Sequence, residues 1–382
     1  MAGLLEGVKV LDLTRLLPGP LCTLHLADQG ADVVKIEDPH AGDYARTDLA
    51  FGVSMSHLFH ALNRGKRSIR LDLKSEDGRA ALLELVRDAD VLVESFRPGT
   101  LEKLGLAPDR LQAGNPGLVV CRISAYGQTG PLADKAAHDI NMVGYAGLAS
   151  QFPSHGGRLR LPGFQIADVA GGALTAAAAI SMALVRKVRD GQGAVLDVAM
   201  AEAALSAGVT AFAMTQFHGR SPEPEADVLT GLLPCYGFYA TKDGGQIAMG
   251  ALEPKFWRAF CALVDRPDLE DKGLAVGPDG EHVKAELEKL FATKPLGKWT
   301  ELLDGADCCV TPVLSIEQAL TLPHFAERGL VYEAEDPVDG VMTRIGGAFL
   351  VDGERVKPAA PAPRHGEHDG DYEFNPARRR SA

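Results

Sequence analysis

The chain has 382 residues, 46% of them hydrophobic and 24% charged, with a formal net charge of −12 and an isoelectric point near 5.4. That length exceeds one ordinary hydrophobic core and predicts two domains, and the composition is that of a globular rather than a disordered chain. The acidic balance argues against nucleic acid or an anionic membrane as a general partner, but it leaves room for a local basic cluster around an anionic ligand.

At the N-terminus no basic segment precedes a long apolar run, so no secretory signal is expected. Strand-like runs at Val8–Leu13, Val33–Glu37, Val91–Glu94, Leu118–Ile123 and Val195–Val198, with a short one at Ile69–Leu73, alternate with helical patterns such as Cys22–Gln29 and Glu76–Asp88. This alternation predicts an α/β fold, with a Rossmann-like large domain built on a parallel sheet over residues 1–220. Glu37 ends the second run where a ribose-binding acid would stand. The turn Arg15-Leu16-Leu17-Pro18-Gly19-Pro20, however, has no GxGxxG, and two prolines around one glycine cannot supply the N–H groups that cradle a pyrophosphate. No nicotinamide dinucleotide is expected.

The apolar run Val169–Val185 contains Thr175 and Ser181 and falls short of the roughly 20 residues a bilayer span needs. It reads as a buried helix, and no membrane partner is expected. Ser221-Pro222-Glu223-Pro224-Glu225-Ala226 has the composition of a linker. Beyond it, Leu233–Ala240 and Gln246–Met249 flank the hairpin-like turn Lys242-Asp243-Gly244-Gly245, and helical patterns follow at Pro254–Val264 and His282–Ala292. A smaller α+β domain is expected over 225–315. Residues 316–382 are expected to return to the large domain and to end, from Pro358, in a loose tail that includes Arg378-Arg379-Arg380. The six cysteines (Cys22, Cys121, Cys235, Cys261, Cys308, Cys309) show no CxxC spacing and read as buried thiols of a reducing cytosol.

Three segments place ionisable side chains among small or apolar ones: Ala136-Ala137-His138-Asp139-Ile140-Asn141, Phe164 to Gly172 around Asp168, and Gly250-Ala251-Leu252-Glu253-Pro254. Such groups are the raw material of general acid–base catalysis. Each also has a plainer reading. Asp168 stands where an ordinary N-cap would, before a Gly/Ala-rich helix whose N-terminus lowers a carboxylate's pKa. His138 beside Asp139 reads equally as a structural hydrogen-bonder, and Glu253 as a surface charge at a strand-to-helix junction. Arg64, Lys66 and Arg67 form a basic run, either a solvated face or a phosphate clamp, and Arg97 follows the Val91–Glu94 strand. No HExxH, Cys/His metal spacing, GxSxG or P-loop occurs, and His57 and His60 have no matching second pair, so no metal site is expected.

Taken in order, these three segments, together with Leu17-Pro18-Gly19-Pro20, Ala31 to Glu37, Asn63-Arg64-Gly65-Lys66-Arg67, Ser95-Phe96-Arg97-Pro98-Gly99 and Tyr126 to Pro131, resemble those of the family III CoA transferases (CaiB/BaiF). Within that family they resemble the α-methylacyl-CoA racemase branch. The resemblance implies an interlocked homodimer of two-domain subunits acting on acyl-CoA thioesters in lipid metabolism, with coenzyme A as part of the substrate and no separate cofactor. It assigns catalysis to His138, Asp168 and Glu253, with Glu253 orienting His138, and CoA binding to Arg97 and Lys66 and, less directly, to Arg64 and Arg67. The implied reaction is inversion at the 2-position of a 2-methylacyl-CoA by two-base proton transfer through an enolate. N–H groups near the start of the Asp168 helix are expected to hold the enolate oxygen. The rival reading is a CoA transferase in which Asp168 attacks the thioester to form a mixed anhydride. A non-catalytic CoA-binding scaffold is disfavoured because all three catalytic positions are occupied.

Overall fold

Near-continuous apolar runs become the strands of a parallel sheet whose two faces are covered by helices. The computed structural model describes residues 3–47, 54–356 and 360–372. In chain order it shows β1 (Lys9–Leu13), α1 (Pro18–Ala27), β2 (Asp32–Glu37), α2 (His57–Asn63), β3 (Arg67–Arg70), α3 (Glu76–Arg87), β4 (Val91–Glu94), α4 (Thr100–Lys103), α5 (Pro108–Gly114), β5 (Val119–Ser124) and α6 (Asp139–Tyr145). The long helix α7 (Ala167–Asp190), β6 (Ala194–Ala199) and α8 (Met200–Ala207) follow. Six strands pair in parallel in the order β3-β2-β1-β4-β5-β6. This is the doubly wound order, with its switch point between β1 and β4, where such sheets bind ligands at their carboxyl ends. Leu11, Val34, Leu92 and Val120 form the core beneath α3 and α5 together with Leu82, Leu101 and Leu111.

The chain divides into two units, the larger comprising Met1–Leu148, Pro162–Gly208 and Leu322–Ala382, the smaller Ala149–Leu161 and Val209–Thr321. In the smaller unit α9 (Val209–His218) precedes β7 (Tyr236–Ala240), β8 (Gln246–Gly250), α10 (Pro254–Leu263), α11 (Gly277–Phe291), α12 (Leu296–Leu303) and β9 (Val310–Pro312). The three strands make an antiparallel sheet in the order β9-β8-β7. Its core is aromatic: Phe291 stacks on Tyr239 and Phe260 at 5.4 and 5.8 Å and meets Trp299 at 4.9 Å. The hairpin β10 (Val331–Asp336) and β11 (Gly340–Ile345) belongs to the larger unit.

Several expectations change. The Pro-Gly-Pro segment is the first turn of α1, where proline's missing N–H costs nothing. Gly19 is needed there because a Cβ would lie 2.2 Å from that of Thr14. The short strand expected at Ile69–Leu73 sits earlier, at Arg67–Arg70. The smaller unit takes in Ala149–Leu161 and resumes at Val209 rather than beyond the Pro/Glu stretch, the helix Met200–Ala207 ending at Gly208 before Val209–His218 begins. Helix α7 runs 24 residues, starting before the apolar run and ending beyond it, and is long and apolar enough to cross a membrane. Of the tail expected to be loose, residues 360–372 are tied down. His368 N–H donates to Ser68 O at 2.9 Å, Arg46 to Pro363 O at 3.0 Å, and Arg70 pairs with Asp369 at 2.6 Å. Residues 357–359 and 373–382, with the three consecutive arginines, lie outside the described residues.

Candidate active site

Two consecutive residues join the elements that carry the site. His138 is the N-cap of α6, its backbone extended (φ −116°, ψ 175°), and its N–H donates to Asn141 Oδ1 at 3.1 Å. The imidazole-bearing residue is exposed. Asp139, the next residue, turns its carboxylate toward the start of α7, where Oδ1 accepts from the N–H groups of Ala167 at 2.6 Å and Asp168 at 3.0 Å. One side chain therefore spans from the His138 peptide to the Asp168 peptide.

Asp168 lies in the first turn of α7, which opens as a π-helix over Ala167–Leu174 before continuing as α-helix from Thr175. Wide turns of this kind are frequent at functional sites. Gly171 and Gly172 let this turn press onto α8 and α1: a Cβ on Gly171 would meet Met200 O at 2.4 Å, and one on Gly172 would meet Pro18 Cβ at 2.8 Å. The Asp168 carboxyl is half-buried and pushed up to about 6, first by burial and then by the Asp139 charge, with His138 acting in the opposite direction. The helix start was expected to lower it. Desolvation and a neighbouring carboxylate outweigh the helix dipole here.

The expected oxyanion donors at this helix start are already engaged. Ala167 and Asp168 N–H bond Asp139, and Val169 N–H bonds Gln165 O at 3.0 Å. Asp139, not an incoming oxygen, fills the cap.

Glu253 is the N-cap of α10 in the smaller unit, exposed, with Pro254 following at the first helical position. Its side chain makes no capping hydrogen bond to its own helix. The carboxylate is thus not consumed by the local role that a residue before a helix commonly plays.

The basic run behaves differently from expectation. Lys66 is 1% exposed, and its Nζ bonds Asp12 Oδ2 at 3.2 Å, Pro20 O and Thr23 Oγ1 at 2.8 Å, and Asn63 Oδ1 at 3.0 Å. Arg64 is buried against Asp28 at 2.6 Å, and Arg67 forks onto both oxygens of Asp32 while lying over Tyr372. Lys66 and Arg64 spend their charges inside the fold and Arg67 pairs with Asp32 at a part-exposed position, so the structure shows this run holding elements together and not as free cations awaiting a phosphate. The partners come from β1, α1 and β2, which the local sequence does not show. Arg97 alone of the four expected cations is exposed, just past the end of β4.

Beside it, sequence reading missed a cleft. At the carboxyl ends of β1, β2 and β4 a cavity of about 600 Å³ is lined by residues that include Arg15, Tyr44, Lys74 and Phe96. The Arg15 guanidinium lies 5.0 Å from the Tyr44 ring and 6.0 Å from the Phe96 ring. Phe96 is held there by Glu94, which accepts its N–H at 2.6 Å and pairs with Arg122 at 2.8 Å. A flat aromatic ligand with phosphates fits such a slot, since guanidinium and ring faces stack and cations face the anionic part. The signal was available in Arg15, two residues after the end of β1, at the switch point of the sheet.

His60, expected to be no metal ligand, faces Asp339 at 3.1 Å and Asp336 at 3.7 Å. Arg344 stands 3.9 Å from Asp336. A guanidinium in that place neutralises the carboxylates that a cation would need, and the group reads as a buried ion-pair cluster.

The chain is 37% identical over 334 residues to the α-methylacyl-CoA racemase of Homo sapiens, covering 87% of this chain and 83% of that one. It is 34% identical over 339 residues to the acetyl-CoA:oxalate CoA-transferase of Acetobacter aceti, covering 87% and 86%. A crystal structure from Mycobacterium tuberculosis matches with a TM-score of 0.82 at 32% identity, over 97% of this chain and 99% of that one. The family model of CoA-transferase family III matches residues 5–369, and the chain belongs to that family.

Proposed function

We propose that this enzyme is a racemase of 2-methylacyl-CoA thioesters, working in the cytosol on lipid-derived acyl groups without a separate cofactor. The observation that carries the reading is the union of His138 and Asp168 at one short bridge, with the Asp168 carboxyl pushed up to about 6. The α-proton of a thioester is a weak acid, so its removal needs a base whose conjugate acid is matched to neutral pH. Inversion further needs a second group that returns a proton to the opposite face. His138 takes or returns the proton on one face and Asp168 on the other, the C–H electron pair passing into the thioester enolate and back. Glu253, supplied by the neighbouring subunit of the proposed dimer, serves as the carboxylate that orients the His138 ring, in the way a carboxylate orients a catalytic imidazole. Arg97 and the Arg15–Phe96 cleft take the CoA nucleotide.

The proposal includes a homodimer. Met182, Val185 and Val188 on α7 are 73%, 67% and 89% exposed, and Phe212 and Phe217 on α9 are exposed as well. Apolar side chains spaced along helices in this way favour a covering chain.

CoA transfer is the second reading, supported by transferases among the relatives at similar identity. There Asp168 attacks the thioester carbonyl, expels the CoA thiolate and forms a mixed anhydride. That step has no use for an imidazole poised beside the carboxylate, which favours racemisation. Incubation with a 2-methylacyl-CoA in D2O, with no acceptor acid, is expected to incorporate deuterium at C2 from either enantiomer. Absence of exchange together with CoA transfer to an added free acid overturns the proposal.

A further inference from the structure

Asp139 belongs to neither of the roles so far assigned. It is half-buried, and its Oδ1 is the acceptor for two successive N–H groups, those of Ala167 and Asp168. It is covalently the neighbour of His138. A rotation of α6 against the first turn of α7 would break both bonds, so the spacing of the two ionisable side chains is tied to this one carboxylate. Ser56, Ser75 and Ser315 cap α-helices with neutral hydroxyls, and Asp43 caps a single turn of 3-10 helix, each serving its own helix. Asp139 caps a different helix and brings a full charge to the side of another carboxylate.

We infer that Asp139 is a positioning residue of the proton-transfer site, clamping the Asp168 peptide to the segment that bears His138 and setting its own charge against that of the Asp168 carboxylate. The inference rests on the reading of His138 and Asp168 as paired bases. Among the described residues, the charged groups that act on Asp168 are Asp139 and His138, both at the start of α6. The other elements packed on this turn are α1, α8 and β6. Of these, α1 and α8 present Pro18 and Met200 there, and the carboxylates of β6 and α8, Asp197 and Glu202, are not among the charges that shift Asp168. Asp139 thus supplies the opposing charge, and burial supplies the rest. Both act in the same direction, toward a carboxyl that gives and takes a proton near neutral pH.

The test separates charge from bond. Asp139→Asn keeps an amide oxygen that can accept both N–H groups, and Asn caps helices as well as Asp does. Carboxyl 13C resonances are followed against pH in the full-length protein without substrate, with Asp168 assigned through Asp168→Asn. In Asp139→Asn the Asp168 titration is expected to move down from about 6 toward the ordinary carboxylate value of 3.8. The acid limb of the deuterium-exchange profile should move with it, with KM for the thioester unchanged. Asp139→Ala, which removes the clamp too, is expected to lower kcat by about 10²-fold, the cost of a misplaced reacting group. If Asp168 titrates identically in wild type and Asp139→Asn, the inference is overturned, even if Asp139→Ala lowers stability as the loss of any cap would. The titration needs no turnover, so a failure of the racemase reading leaves it intact.

Discussion

Arg64–Arg67 and His138–Asp139–Asp168 look alike in the sequence, each a knot of charge among apolar residues, yet the fold treats them in opposite ways. In the first, Lys66 meets four acceptors and Asp12 is held well below the usual carboxylate range, since Lys66, Lys35 and two threonine hydroxyls together outweigh burial. In the second, burial and a like charge push Asp168 up, and His138 stays exposed. A charge whose partners lie within the fold holds elements together. Burial also raises Asp28, the partner of Arg64, to about 6 and lowers Lys66 to about 8, but both are paired inside the fold. Asp168 is raised beside a like charge, Asp139, and next to the exposed His138, and a perturbed group in such a setting is a candidate for chemistry.

The comparison breaks most sharply at Asp168 and His138. Replacing either with Ala is expected to lower C2 proton exchange by about 10²–10⁴-fold, the usual loss for an acid–base group. Any exchange that persists is expected to come from a single enantiomer, which chiral analysis of the recovered thioester reads. Stability should move the other way at Asp168. A folded pKa raised from 3.8 to about 6 gives stabilisation that is present below pH 3.8 and is lost as pH rises through about 6. Asp168→Asn should therefore melt higher than wild type at pH 7.5, and the gap should close toward pH 4. An Asp168→Asn variant that is less stable at pH 7.5 would place Asp168 among the structural charges.

Lys66→Met provides the converse. It leaves Asp12 buried without one of its two cations, and breaking a buried pair from one side costs about 3–5 kcal/mol. The denaturation midpoint should fall accordingly, while exchange per folded molecule stays near wild type. Arg67→Gln, at a pair that is one-third exposed, should cost no more than about 1 kcal/mol. A folded Lys66→Met with normal stability and a raised KM would restore Lys66 to the phosphate site.

What the sequence made legible follows the same division. Strands β1, β2, β4 and β5 were readable because each is buried on both faces, and a doubly buried strand is a plain apolar run. Motif resemblance singled out His138, Asp168 and Glu253, but it was silent on Asp139, whose bond partners sit across a loop in α7. The fate of Lys66 was hidden for the same reason: Asp12, Pro20 and Thr23 are close only after β1 and α1 have packed. The tail read as loose because it is rich in Pro, Gly and charge, although the N–H groups of Gly366 and His368 donate to Ser68 in β3. Composition reports local propensity, and a polar segment held by someone else's strand carries no local mark of it.

A modest effect confined to binding is expected at Arg97, the one member of the expected phosphate-binding set left exposed at the sheet's carboxyl edge. An arginine that meets a phosphate at the surface contributes a charge-assisted bond weakened by solvent, on the order of 1.4 kcal/mol or a tenfold change in affinity. Arg97→Gln is therefore expected to raise KM for the CoA thioester by about tenfold. Because the nucleotide lies far from the α-carbon along the CoA chain, kcat should not change, and the loss should have the signature of uniform binding. Raising the ionic strength should shrink the gap between variant and wild type, since screening weakens the wild-type contact and leaves glutamine untouched. Should Arg97→Gln instead lower kcat with KM unchanged, the guanidinium would belong to the reacting centre, and the contrast between a free binding cation and the buried basic run would have to be redrawn.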